Sequence, residues 1–215
     1  MKRHTFAMKV KEGKMGSFRR NLGDVWSELT VLLDEKEISN FSIWNAENLI
    51  FGYFEMADAV FFSGNDREKV AEWEEKYGSC YEWLSTPFEE MRLMYHDIGY
   101  LRTNKELIRH RVFITKLKPG MEEEYKARHD ALVEARGEHI TEGPDSNFTI
   151  WHAGGYIFGY NEIDTTMEHE MTEAERENTI LWEKRMLEIM DWKTNDVDWI
   201  TGECHESIKR IAWYK

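Results

Sequence analysis

Tyr125 and His129 stand four residues apart in the run Glu124-Tyr-Lys-Ala-Arg-His-Asp130. Four residues is just over one helical turn, so on a helix these two side chains are neighbours on one face. An imidazole titrates near neutrality and can give or take a proton, and a phenol beside it can bind a hydroxyl. An inward pair of this kind can hold a small polar molecule. A histidine on an apolar face can equally be a hydrogen-bonded structural group, so the pair alone leaves both readings open. More informative is that 107 residues earlier the corresponding positions are Phe18 and Leu22. A titratable pair in one place is an apolar pair in the other.

That offset comes from a repeat. Ser39 to Glu55 reads SNFSIWNAENLIFGYFE and Ser146 to Glu162 reads SNFTIWHAGGYIFGYNE, with eleven of seventeen residues identical. Internal duplication is the economical explanation. In 215 residues a period of 107 predicts two small domains built alike, 1–102 and 108–215, linked by polar Thr103 to Glu106.

Each half shows the same succession of patterns. Phe6, Met8 and Val10 alternate as a strand before a turn at Glu12-Gly13, and Phe113, Thr115 and Leu117 precede Pro119-Gly120. A helical period then carries Met15, Phe18, Leu22, Val25, Trp26, Leu29, Leu32 and Leu33, which predicts a helix over about Lys14 to Asp34. In the second half the corresponding stripe runs from Tyr125 and His129 through Leu132. The repeated stretch reads as a β-hairpin turning at Asn45 to Asn48, followed by a charged helix around Val70, Trp73 and Tyr77. A last strand is predicted at Met91 to Tyr95, with Ile208 to Trp213 as its counterpart.

The order β-α-β-β-α-β is ferredoxin-like, an α+β class with both helices on one side of an antiparallel sheet. Such a sheet leaves its other face bare, so the expectation is a fused pseudo-dimer, the two halves packed sheet to sheet as an α+β barrel.

A net charge of −13, from 28 basic and 41 acidic residues, argues against nucleic acid and anionic membranes as partners. No run approaches the length of a membrane span and the N-terminus lacks the apolar core of a signal peptide, which points to a cytoplasmic protein. Cys80 and Cys204 fall in no metal or disulfide spacing.

The segment Glu124 to Asp130, after an opening strand and a Pro-Gly turn, resembles the bacterial L-rhamnose mutarotase family, whose members carry EEYxxRH. Val25-Trp26-Ser27-Glu28-Leu29, Asn147-Phe148-Thr149-Ile150-Trp151 and the helix containing Trp182-Glu183-Lys184 are similar to further family segments. The resemblance spans essentially both halves. It implies a dimeric α+β barrel, here in one chain, and interconversion of the α and β anomers of L-rhamnose or a related aldose. It gives His129 the role of general acid, Tyr125 and Trp182 those of sugar contacts, and Phe148 the place of a family tyrosine. A second family tryptophan is Glu183 here. In the first half Phe18, Asn21, Leu22 and Phe41 replace the family's polar set, so that site is expected to be lost and filled with core.

Anomer exchange needs one proton delivered to the ring oxygen and one removed from the anomeric hydroxyl, which a histidine can do with no metal and no organic cofactor. The expected partner is a sugar, and the expected state a monomer holding both halves, with further homodimerisation left open. Two other readings stay open: a haem-binding or haem-degrading monooxygenase of the same fold, and a non-catalytic sugar-binding protein. Glu168-His169-Glu170 is read as a solvated face, His152 as an exposed turn residue, and His4 and His110 as surface groups before their strands.

Overall fold

The structure, a computed structural model, describes residues 1–58, 60–140, 142–194, 200 and 208–214; Cys204 lies outside them. The strands are β1 (Lys2–Val10), β2 (Ser39–Ala46), β3 (Leu49–Met56), β4 (Tyr81–Trp83), β5 (Arg92–Asp97), β6 (Ile108–Leu117), β7 (Asp145–Ala153), β8 (Tyr156–Asp164), β9 (Met190–Trp192) and β10 (Lys209–Tyr214). The helices are α1 (Met15–Glu35), α2 (Gly64–Tyr77), α3 (Glu122–Arg136) and α4 (Glu173–Leu187). The protein is a mixed α+β chain with two five-stranded antiparallel sheets, ordered β10-β2-β3-β1-β4 and β5-β7-β8-β6-β9.

The sheet order departs from the expected one at one strand in each half. In a ferredoxin-like half the last strand lies beside the first. Here that place is taken by a three-residue strand, β4 against Met8 to Val10 and β9 against Thr115 to Leu117. The longer terminal strands are exchanged instead. β5 pairs with β7, from Arg92 opposite His152 to Asp97 opposite Phe148, and β10 pairs with β2, from Lys209 opposite Asn45 to Tyr214 opposite Phe41. Each exchanged strand covers an edge whose N–H and C=O groups would otherwise be open.

The chain therefore forms two compact units, Met1–Met91 with Lys209–Lys215, and Arg92–Ile208. The division predicted at Thr103 to Glu106 falls at Met91 instead. A repeat shows which segments are alike, but not which sheet a strand joins.

Within each unit the helices cover one sheet face. Phe18 and Leu33 of α1 pack with Val10, Ile43 and Phe54 in the first, and Tyr125 of α3 and Met186 of α4 pack with Phe113, Leu117 and Ile150 in the second. Both second helices start on a capping box, Ser63 with Asp66 and Thr172 with Glu175, which satisfies their leading N–H groups. The shared Gly of each hairpin has a packing reason. A Cβ on Gly52 would stand 2.0 Å from Phe6 Cζ, and one on Gly159 2.1 Å from Phe113 Cε1.

Each hairpin also carries a β-bulge, at Ser39/Ser42 and Ser146/Thr149, with Asn40 and Asn147 in the left-handed region at φ 53°. The same polar brace accompanies each. Asn40 Nδ2 and the Tyr53 hydroxyl donate to Glu55 Oε1 at 3.3 and 2.7 Å; Asn147 Nδ2 and the Tyr160 hydroxyl donate to Glu162 Oε1 at 3.2 and 3.1 Å.

Candidate functional site

His129 lies in the middle of α3, one turn after Tyr125, and only 5% of it is exposed. Its Nδ1–H donates to the Tyr125 carbonyl at 2.9 Å, the acceptor the helix itself offers one turn back. That bond fixes the tautomer, so that in the neutral ring the lone pair is on Nε2. Three rings surround the imidazole. Tyr125 stacks on it at 4.3 Å, Trp182 of α4 meets it edge-on at 5.2 Å, and Tyr95 of β5 tilts against it at 5.3 Å. Phe148 of β7 continues the wall, 5.5 Å from Tyr95.

The electrostatics follow from this apolar setting. Burial pushes the His129 pKa below its ordinary value of 6.5, only partly countered by the bond to Tyr125 and by Asp130. The imidazole is thus neutral at pH 7 and has a free base. Burial pushes the Tyr125 phenol up, so it stays a neutral donor, and burial with the Asp97 charge does the same for Tyr95. Arg136, at the end of α3, pairs with Asp97 and donates to the Tyr95 hydroxyl at 3.4 Å. Chemically the arrangement is one proton-transfer group inside an aromatic box with phenols at hand. Among the described residues no group of three His, Cys, Asp or Glu could hold a metal ion.

The model of the L-rhamnose mutarotase family matches residues 3–96 and again residues 110–208. The chain belongs to the L-rhamnose mutarotase family. As in the repeat, the second match begins 107 residues after the first (110 − 3). No curated protein matches the chain. Among solved structures, a Fusobacterium nucleatum subsp. nucleatum protein named for a monooxygenase activity shares 8% identity, over 88% of this chain and 87% of that one, at a TM-score of 0.40. A likeness of that degree carries no argument about function.

In this mutarotase-family chain the four residues singled out from sequence do come together: Tyr125, His129 and Trp182 touch, and Phe148 is joined to them through Tyr95. Tyr95 is the residue that sequence reasoning missed. It belongs to the first repeat and reaches His129 only because β5 joins the second sheet. Strand registers make Ala212 its counterpart, since Tyr95 faces Ile150 and Ala212 faces Ile43. Leu132 was expected to extend the inward stripe, but it is 40% exposed.

Glu183 has a structural partner. It is 4% exposed and accepts from Trp192 Nε1 at 2.6 Å, and Glu74 accepts from Trp83 Nε1 in the first half. Both pairs are nine residues apart (83 − 74 and 192 − 183), a repeated spacing visible in the sequence.

Of the first-half residues at the expected lost site, Phe18 and Phe41 are buried in the core cluster, whereas Leu22 is only partly buried, and all three line a cavity. The remaining histidines also differ from expectation. His4 and His110 lie within strands, His4 stacked on Phe54 at 5.1 Å and His110 Nδ1 2.7 Å from the Tyr160 hydroxyl. His152 is in β7 rather than in a turn, with Nε2 buried and without a partner. Glu168 pairs with Arg109 and the His169 Nδ1 contacts the Glu170 carbonyl at 2.9 Å, in a stretch that is exposed and not helical. No described helix is long and apolar enough to cross a membrane.

Proposed function

We propose that the second half catalyses interconversion of the α and β anomers of L-rhamnose or a closely related aldose, with His129 as the proton-transfer residue. The observation that carries this is the fixed imidazole: Nδ1 is committed to the Tyr125 carbonyl at 2.9 Å, and the structure gives Nε2 no partner among the described residues, within a box of Tyr95, Tyr125 and Trp182.

Nε2 takes the proton of the anomeric hydroxyl of a bound pyranose and, as the imidazolium, delivers it to the ring oxygen as the bond between that oxygen and the anomeric carbon breaks, which leaves an open-chain aldehyde and a neutral imidazole. Rotation of the aldehyde and the reverse transfers close the ring as the other anomer, so protons balance over the cycle. The aromatic walls favour a sugar with an apolar edge, such as a 6-deoxy methyl, and Tyr125 and Tyr95 can orient its hydroxyls.

Saturation-transfer NMR on equilibrated L-rhamnose tests the reading directly. Exchange between the two anomeric proton signals should rise in proportion to protein concentration. Exchange at the buffer rate, for rhamnose and for a panel of other aldoses, overturns it.

A further inference from the structure

The first half holds a half-open cavity of about 570 Å³ between its sheet and its two helices, lined among others by Phe6, Met8, Leu22, Leu29, Phe54 and Trp73. That volume suits a small organic molecule. Its chemistry is the reverse of the second-half site. At the repeat offset of 107, Tyr125, His129, Leu132 and Arg136 become Phe18, Leu22, Val25 and Leu29, all four of which line the cavity. Loss of a sugar site to core would have closed the space with larger side chains. Here the space persists and its polar groups are gone.

Apart from Glu74, which bonds Trp83 opposite Met8, the charged groups lie toward the start of β1 and the Phe88 segment. A row of rings runs from His4 through Phe54 and Phe62 to Phe88, at centroid spacings of 5.1, 6.2 and 5.5 Å, and the Arg67 guanidinium lies 4.8 Å over Phe88. Most other lining charges are already engaged: Lys2 with Glu90, Asp58 with the N-terminal amine, Glu74 with Trp83. Among the described residues neither Arg67 nor Glu89, the remaining lining charges, makes an ion pair. Arg67 presents a planar fork suited to a carboxylate.

We propose that this cavity is a second ligand site, for a small hydrophobic carboxylic acid, its hydrocarbon body lying against Leu22, Leu29 and Phe54 and its carboxylate at Arg67. The assignment is independent of the activity assigned to the second half.

Isothermal titration calorimetry on the full chain with octanoate, 1-octanol and L-rhamnose tests it. Octanoate should bind once per chain, and saturating L-rhamnose should not displace it. Arg67→Ala, a change at an exposed position, should weaken octanoate about tenfold or more and leave 1-octanol unaffected, as expected for one charge-assisted contact. Leu22→Trp, which places an indole in the cavity, should abolish octanoate binding while anomer exchange continues at the parent rate. Where Leu22→Trp lacks a cooperative melt, Arg67→Ala decides alone. No saturable octanoate binding overturns the proposal, as does displacement by rhamnose, equal octanoate affinity in Arg67→Ala, or full octanoate binding by folded Leu22→Trp.

Discussion

The ring of Tyr95 is centred 5.3 Å from that of His129, although Tyr95 belongs to the first copy of the repeat and His129 to the second. The box around the imidazole is thus built from both copies, through the strand that β5 lends to the second sheet. His129→Ala should slow anomer exchange about 10² to 10⁴-fold with an unchanged circular dichroism spectrum. Tyr95→Phe, which keeps the ring and loses one hydroxyl, should raise KM about tenfold or less. The effects of Tyr95→Ala and His129→Ala should be non-additive in saturation-transfer rates, because both groups face one bound sugar.

Stability should fall as pH drops below about 6.5. His4, His129 and His152 are all held below the ordinary histidine value of 6.5, chiefly by burial. Each contributes its full stability above 6.5. Below that, the unfolded chain takes up protons that the native histidines still refuse, so the unfolded state gains. Asp66, Glu123, Asp164 and Glu175 are held below their ordinary carboxylate values by their hydrogen-bond and ion-pair partners, and their contribution is lost only at lower pH. Urea midpoints measured from pH 8 to 5 should decline from about 6.5 downward, and the slope should lessen in His129→Gln.

Glu162 is fully buried and receives Asn147, Tyr160 and Lys105. Lys105 is 42% exposed in its side chain and can turn to water once its partner is gone, so the large penalty of a stranded buried charge does not apply. The orphaned Asn147 and Tyr160 groups decide the cost. Glu162→Ala should destabilise by about 1 to 3 kcal/mol in urea unfolding, with a similar loss for Glu55→Ala at the matching brace.

Cutting the chain between Thr103 and Glu106 should yield fragments that need each other. The first would carry β5 away from β7, and the second would carry β10 away from β2. Mixed, they should elute together and recover anomer exchange, whereas each alone should show an incomplete, non-cooperative melt. Two fragments that fold cooperatively and ignore one another would contradict the exchanged pairing.

Much of this architecture was legible because it is local. Helix α1 was predicted within a residue at each end from the spacing of Phe18, Leu22 and Leu33, and the hairpin from alternating Ile43, Ile50 and Tyr53 beside a turn. His129 and Tyr125 were readable because one helical turn joins them. Tyr95 was not, since its approach to His129 depends on which sheet β5 enters, and a strand pattern carries no address. The cavity beside Leu22 was hidden for a related reason. Apolar residues at helical spacing show that a face turns inward, but not whether anything fills the space opposite. The structural partner of Glu183 was not seen in the sequence, although its spacing to Trp192 repeats that of Glu74 to Trp83.

The swapped edges also set an order of events during translation. When Met1–Met91 has left the ribosome, β1 to β4 can assemble around α1 and α2, but the free edge of β2 has no partner until Lys209–Tyr214 arrives, the last of the described strands to be made. The second sheet is spared this delay, because β5 is already waiting when β7 emerges. The nascent first half therefore carries an open strand edge through synthesis of the entire second half, the interval in which it is most exposed to pairing with another chain.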